Sequence, residues 1–204
     1  YDERMEKLAG ARLSDEVGGD FYELLAQAER PLIYAGGGVL NAGAADALRA
    51  FSERFQIPVV TTLMGIGSMD TTSDLSLHML GMHGAAFANY AVEDCDFIFA
   101  VGSRFDDRVA GKVSDFAPRA RIAHLDIDAS EIGKVKGVDW AYVCDARAGL
   151  QQLLLAGNNF NKDFSPWLEH VRALRAKHPF AYRHDAPILQ ATEVLDTLND
   201  LTKG

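Results

Sequence analysis

Phe97-Ile98-Phe99-Ala100-Val101 runs without a break into Gly102-Ser103-Arg104-Phe105-Asp106-Asp107-Arg108-Val109. Five apolar residues bounded by charge read as a strand buried on both faces, the pattern of a parallel sheet covered by helices. Two arginines and two acids follow that strand's carboxyl end, where open α/β sheets bind ligands. One short stretch thus predicts the fold class and the place to look for a site.

Outward from it, strands and helices alternate. Phe21, Leu24, Leu25 and Ala28 follow helical spacing until Pro31, and Leu32-Ile33-Tyr34-Ala35 reads as a strand. Gly36-Gly37-Gly38 comes next, then a helix over about 42–55. Residues 57–62 are the second strand, with Pro58 near its start, where proline is tolerated. Residues 63–82 read as a long connection, and loops of that length inside a compact domain are usually functional or partly structured. Helix is predicted over 85–93 and 146–155, strand over 121–126 and 141–143, and a short helical turn over 130–134. This alternation implies βαβ units. The expected fold is α/β: a three-layer Rossmann-like domain, with a mainly parallel sheet and helices on both faces.

Residues 1–20 read as a linker, 21–156 as the domain, and 157–204 as a second linker followed by helices around Trp167 and Val194. The chain opens on Tyr1 and stops at Gly204 just after a new helix, as expected of a piece of a longer protein. Its 204 residues carry a net charge of −9 with no Lys/Arg-rich run, which argues against nucleic acid as a partner. No stretch approaches the ~18 apolar residues of a membrane span. Cys95 and Cys144 lie far apart, without Cys-x-x-Cys spacing, and read as reduced thiols.

Four further groups could carry chemistry. Gly36-Gly37-Gly38 sits between a strand and a helix, where glycine lets backbone amides approach a phosphate; the alternative is a plain tight turn. It is not the dinucleotide fingerprint, since the third glycine would fall at Asn41 and the ribose-binding acid at Gln56. Thr62-Leu63-Met64-Gly65 offers a hydroxyl and backbone amides at a strand end, or simply turns the chain. In Gly81-Met82-His83-Gly84, Met82 is polarizable enough to pack on a flat ring, and His83 precedes a helix. His78 and His83 are five residues apart, which does not suit a metal site on one helical face. Asp126 and Asp128 end a strand and can accept from ribose or adenine donors, while Asp128-Ala129-Ser130-Glu131 also fits a capping box. The Arg104–Arg108 charges could equally be a surface salt-bridge cluster.

Residues 77–84 and 104–112, together with Thr62-Leu63-Met64-Gly65 and His124-Leu125-Asp126-Ile127-Asp128, closely resemble the central domain of acetohydroxyacid synthase, also called acetolactate synthase. That resemblance, dense over about 30–156, implies FAD lying extended across this domain in a structural role. It would place Gly36, Gly37, Gly38, Thr62, Leu63 and Met64 on the phosphates and ribitol. Gly81, Met82, His83, Gly84, Gly102, Arg104, Asp106, Arg108 and Val109 would line the rest. Asp126, Ile127, Glu131, Ile132 and Asp145 would hold the adenosine end. The resemblance further implies a cytoplasmic, homo-oligomeric parent enzyme, open to a regulatory subunit. That enzyme would bind thiamine diphosphate and Mg²⁺ in other domains and condense two pyruvates, or pyruvate and 2-oxobutyrate, with loss of CO₂ for branched-chain amino acid biosynthesis. No catalytic residue and no metal ligand is expected on this segment, so the segment alone should be inactive. The alternatives are another thiamine-dependent carboligase or oxidase, and a non-catalytic nucleotide-binding scaffold.

Overall fold

A computed structural model describes residues 12–105, 116–180 and 188–202. In chain order the elements are α1 (Asp15–Gln27), β1 (Pro31–Ala35), α2 (Gly37–Asn41), α3 (Ala45–Phe55), β2 (Val59–Thr61), a 3₁₀ turn (Leu63–Gly65), β3 (Ser76–Met79), α4 (Ala86–Asp94), β4 (Phe97–Val101), β5 (Arg121–Asp126), β6 (Trp140–Val143), α5 (Ala146–Ala156), α6 (Ser165–Lys177) and α7 (Ala191–Thr202). The six strands form one sheet in the order β3-β2-β1-β4-β5-β6, and every pairing is parallel.

The two faces divide by the alternation of side chains along each strand. Phe97, Phe99 and Val101 point to one side with Ile33, Val59, Ala123 and Leu125, where α1, α3 and α5 supply Phe21, Leu25, Phe51, Phe55, Leu150 and Leu153. Ile98 and Ala100 point to the other side with Leu32, Tyr34, Val60 and Ile122, against Phe87 and Ala91 of α4 and Trp167 and Val171 of α6. All five residues of β1 and of β4 are consequently buried. Phe21 is the hub of the first face: its ring centre lies 4.9 Å from Phe99, 5.0 Å from Trp140, 6.0 Å from Phe97 and 6.1 Å from Phe51. Full burial of a residue like this contributes about 1.5–3 kcal/mol.

Three expectations change. Residues 63–82 are not all connection, because 76–79 add β3 at the sheet edge. That strand has Ser76, His78 and Gly81 around it and a register irregularity against β2, so it lacks a strand's usual pattern. The stretch after Asp128 forms a turn in place of the expected helical one: Asp128 Oδ1 accepts from the Ser130 amide at 3.0 Å and its hydroxyl at 2.8 Å, a local loop that competes with helix. And α1 starts earlier than expected, at Asp15. Ser14 Oγ caps it by accepting from the Val17 amide at 3.2 Å, and Gly18 sits against Leu13 and Ala156, where a larger residue would crowd.

Helix α6 falls after residue 156, the expected end of the domain, yet it packs as part of this core. Trp167 is 2% exposed and its Nε1–H donates to the Pro31 carbonyl at 2.8 Å. By contrast α7 has no buried residue. Trp167→Ala should therefore cost about 3–5 kcal/mol, read from urea unfolding, whereas Leu198→Ala on α7 should cost less than about 0.5 kcal/mol. Near-equal losses would remove α6 from the core.

Candidate functional site

The strand order reverses direction between β1 and β4: from β1 the chain moves to β2, and from β4 to β5. Their outgoing turns part there and leave a crevice at the carboxyl edge. A cleft of about 580 Å³ occupies it, lined by Gly36, Gly37, Gly38, Thr62, Leu63, Met64, Gly102, Arg104, Asp126 and Glu131, with Tyr34, Asn41, Ser103 and Asp128.

The floor is built by backbone packed on backbone. A Cβ on Gly36 would lie 2.2 Å from the Gly102 carbonyl oxygen, and one on Gly38 would lie 2.7 Å from Gly102 Cα. Gly102 itself has φ +53°, the left-handed region that glycine enters without strain. The Gly36 amide donates to Val101 O at 3.0 Å, Gly38 to Gly102 O at 2.9 Å and Val39 to Gly36 O at 3.1 Å. These amides hold the turn together, so the glycine run serves close approach first, and among the described residues the Gly37 amide takes no part in these bonds. The atoms nearest to a Cβ on Gly37 would belong to Met64, the first at 2.9 Å.

One side wall is the 3₁₀ turn. Thr62 Oγ1 accepts from the Gly65 amide at 3.0 Å, which caps the turn. Leu63 and Met64 are thereby turned outward, 68% and 71% exposed, and present apolar surface to whatever enters. The opposite wall is acidic. Asp126 is buried at the end of β5, with Oδ1 accepting from the Asp128 amide at 2.9 Å. Glu131 forms an ion pair with Lys134 at 2.7 Å. Arg104 stands on the third side, directly after β4.

His124, to which the sequence reading assigned no role, underlies this wall. It is fully buried, with Nε2 3.0 Å from the Ser103 carbonyl and 3.8 Å from Asp126 Oδ2. Its ring meets Phe105 edge-on, at 5.5 Å. It ties β5 to the turn that presents Arg104. Only the lone histidine inside an apolar strand hinted at this. Tyr34, Asn41 and Ser103 were also missed; the cleft reaches them because β1, α2 and β4 end together.

Ten of the candidate residues thus share the cleft, and the other described ones do not line it. Met82, 88% exposed, and His83 sit on the turn after β3. Gly81 there exchanges hydrogen bonds with the Asn89 side chain, at 2.8 and 3.0 Å, and Gly84 admits the Met79 carbonyl where a Cβ would be. Ile127 and Ile132 are half-buried beside the cleft's acidic wall. Asp145, after β6, caps α5 by accepting from the Ala148 amide at 3.0 Å. Asp106, Arg108 and Val109, and Asp107 with them, lie outside the described residues. Cys95 and Cys144 are buried and form no disulfide, and burial pushes both thiols up, away from the reactive thiolate form.

Residues 20–153 match the family described as thiamine pyrophosphate enzyme, central domain. The chain belongs to that family. Among curated proteins it is similar to the acetolactate synthase large subunit of Parasynechococcus marenigrum, 44% identical over 183 residues, covering 88% of this chain and 29% of that protein. The acetolactate synthase large subunit of Corynebacterium glutamicum is 44% identical over 181 residues, covering 87% and 29%. Acetolactate synthase 1, chloroplastic, of Zea mays is 40% identical over 208 residues, covering 100% and 32%. The chain therefore spans about a third or less of the length of these relatives. No described helix is long and apolar enough to cross a membrane.

The floor of this central-domain cleft makes a direct prediction. Gly36→Ala and Gly38→Ala put a methyl into backbone atoms and should each cost at least about 1–3 kcal/mol. Gly37→Ala has only an exposed turn to displace and should cost less. Thermal unfolding of the three variants gives the order; a Gly37 loss as large as the others would mean the turn is equally rigid throughout.

Proposed function

We propose that this chain is the central domain of an acetolactate synthase catalytic subunit and that its cleft holds FAD. The observation that carries the reading is the composition of the cleft at the switch point: one arginine, an apolar lip and a carboxylate wall around a floor of glycine backbone. Each part suits a different piece of that molecule. Arg104 would pair with the diphosphate, since guanidinium binds such oxygens bidentately. Asp126 and Glu131 would accept from ribose hydroxyls or the adenine amine. Leu63, Met64 and, from the neighbouring turn, Met82 would pack on flat ring surface. Gly81, His83, Gly84, Ile127, Ile132 and Asp145 are proposed as outer contacts, with Asp106, Arg108 and Val109 on the loop after Arg104.

The reaction proposed for the full-length protein joins two pyruvates, or pyruvate and 2-oxobutyrate, with loss of CO₂. It has no net change in oxidation state, so the flavin's proposed part is structural. Thiamine diphosphate would supply the carbanion chemistry from other domains, with Mg²⁺ on its diphosphate. The stretch before α1 and the one carrying α7 are proposed to lead into those domains, in a cytoplasmic homo-oligomer. Support for the choice of enzyme is the agreement of the relatives' names over nearly the whole chain.

Two measurements test this. The full-length protein, given thiamine diphosphate, Mg²⁺ and FAD, should form acetolactate from pyruvate; decarboxylation to acetaldehyde alone, or no turnover, would overturn the assignment. In the same protein Arg104→Ala should weaken FAD binding roughly ten- to a hundredfold, the loss of a charge-assisted bond of roughly 1.5–3 kcal/mol. Arg121→Ala should leave it unchanged, because Arg121 opens β5 at the far edge of the sheet, beside Asp96 and Arg119. Equal losses would mean that the binding edge is reversed.

A further inference from the structure

We propose that Arg175 and His78 are positioning residues: α6 reaches across to the edge strand, fixes a bulge in β3, and so sets the turn 81–84 at the rim of the cleft. The role of that turn rests on the flavin reading above; the clamp itself does not.

The bulge is visible in the register. Val59 of β2 pairs with Ser76 and Thr61 pairs with Met79, so two steps along β2 match three along β3. The extra residue bends the strand, as bulges near binding sites commonly do. His78 lies within it, with φ +60°, a left-handed conformation in a non-glycine residue. Such a conformation costs roughly 1–2 kcal/mol and persists only where the surroundings hold it.

The hold comes from the last turn of α6. Arg175 Nη2 donates to the Ser76 carbonyl and to His78 Nε2, both at 3.1 Å. The guanidinium carbon lies 5.6 Å from the centre of the Phe87 ring on α4. The His78 ring meets Phe87 edge-on at 5.9 Å and Phe180 at 5.2 Å. Burial, and then the Arg175 charge, lower the His78 pKa, so the ring stays neutral and Nε2 can accept the bond. One side chain therefore binds a backbone carbonyl and the bulged residue of β3 and stacks on α4.

The chain just beyond His78 is tied closely to the bulge. The Leu80 amide donates to Thr61 O at 3.2 Å, and the Ala85 amide returns to Met79 O at 2.8 Å. Gly84 lies so close to Met79 and Leu80 that no Cβ fits. A shift at residue 78 is consequently passed to Met82 and His83, which follow β3 at the same carboxyl edge of the sheet from which the Leu63–Met64 turn follows β2. A purely structural Arg175 would anchor α6 and leave this turn unaffected.

The experiment uses the full-length protein with Arg175→Leu, which retains apolar bulk over Phe87 but donates no hydrogen bond, with His78→Gly, and with both. Amide hydrogen exchange over 79–85 reads the turn, visible absorption of bound FAD reads the ring environment, and titration reads affinity. Arg175→Leu should speed exchange over 79–85 at least tenfold while α3 and α5 are unchanged, alter the flavin spectrum and weaken FAD several-fold. In the His78→Gly background the same substitution should do less than it does alone, because the bond to His78 is already gone and only the one to the Ser76 carbonyl remains to be lost. Arg175→Lys should restore part of the effect. Unchanged exchange over 79–85, or additive effects in the double variant, would overturn the clamp. Faster exchange with an unchanged flavin spectrum and affinity would overturn the turn's role at the site. Failure of the wild-type protein to bind FAD would defeat the cofactor reading and that role with it, and the exchange result would still decide the clamp.

Discussion

Two strand-end turns touch backbone to backbone, and the rest of the site depends on that contact. Gly36 and Gly38 after β1 lie against Gly102 and Ser103 after β4, with no room for a side chain between them. Interiors are close-packed, so a methyl at this contact would displace whole strands. The approach brings together two chain segments more than sixty residues apart at the one place where a parallel sheet opens a crevice. Arg104, the Thr62 turn and the Asp126 wall can face one another only because that floor is thin.

The sheet makes this arrangement possible. With both faces covered, β1 and β4 bury every side chain, so neither strand can expose a polar group along its length. Polar chemistry is confined to the strand ends. His124 is an exception inside the central part of the sheet, and its bond to the Ser103 carbonyl holds the turn that carries Arg104. Helix α6 extends the same logic to the edge of the sheet. It contributes Trp167 to the core near the amino end of β1, and Arg175 to β3.

Much of this was legible because the physics is local. An apolar run such as 97–101 flanked by charge has few alternatives to a buried strand, and β4 and β5 fall where they were expected. The glycines were recognised as suited to close approach to a phosphate or to a plain tight turn, but their contact with Gly102 and Ser103 was not foreseen. A partner sixty residues away in sequence leaves no local trace. Strand β3 escaped notice because a short, bulged edge strand with Ser76 and His78 lacks both periodicities. The packing of α6 escaped because Trp167 and Val171 show an apolar face without showing what covers it. Asn41, noted as the residue where a dinucleotide fingerprint would have its third glycine, proves to line the cleft, while Gln56 ends α3 in a left-handed conformation.

A cleft floored by glycine backbone and walled by one arginine and three carboxylates suits the flavin proposed for it, one that is held and not consumed. The visible absorption spectrum of the full-length protein tests this most directly. It is taken after incubation with FAD and removal of the excess, then followed through a single turnover of pyruvate. Bound oxidised flavin should be present in an amount matching the protein, with its absorbance unchanged as acetolactate forms. A protein that retains no flavin, or one whose flavin bleaches in step with product, would contradict a structural flavin in this cleft.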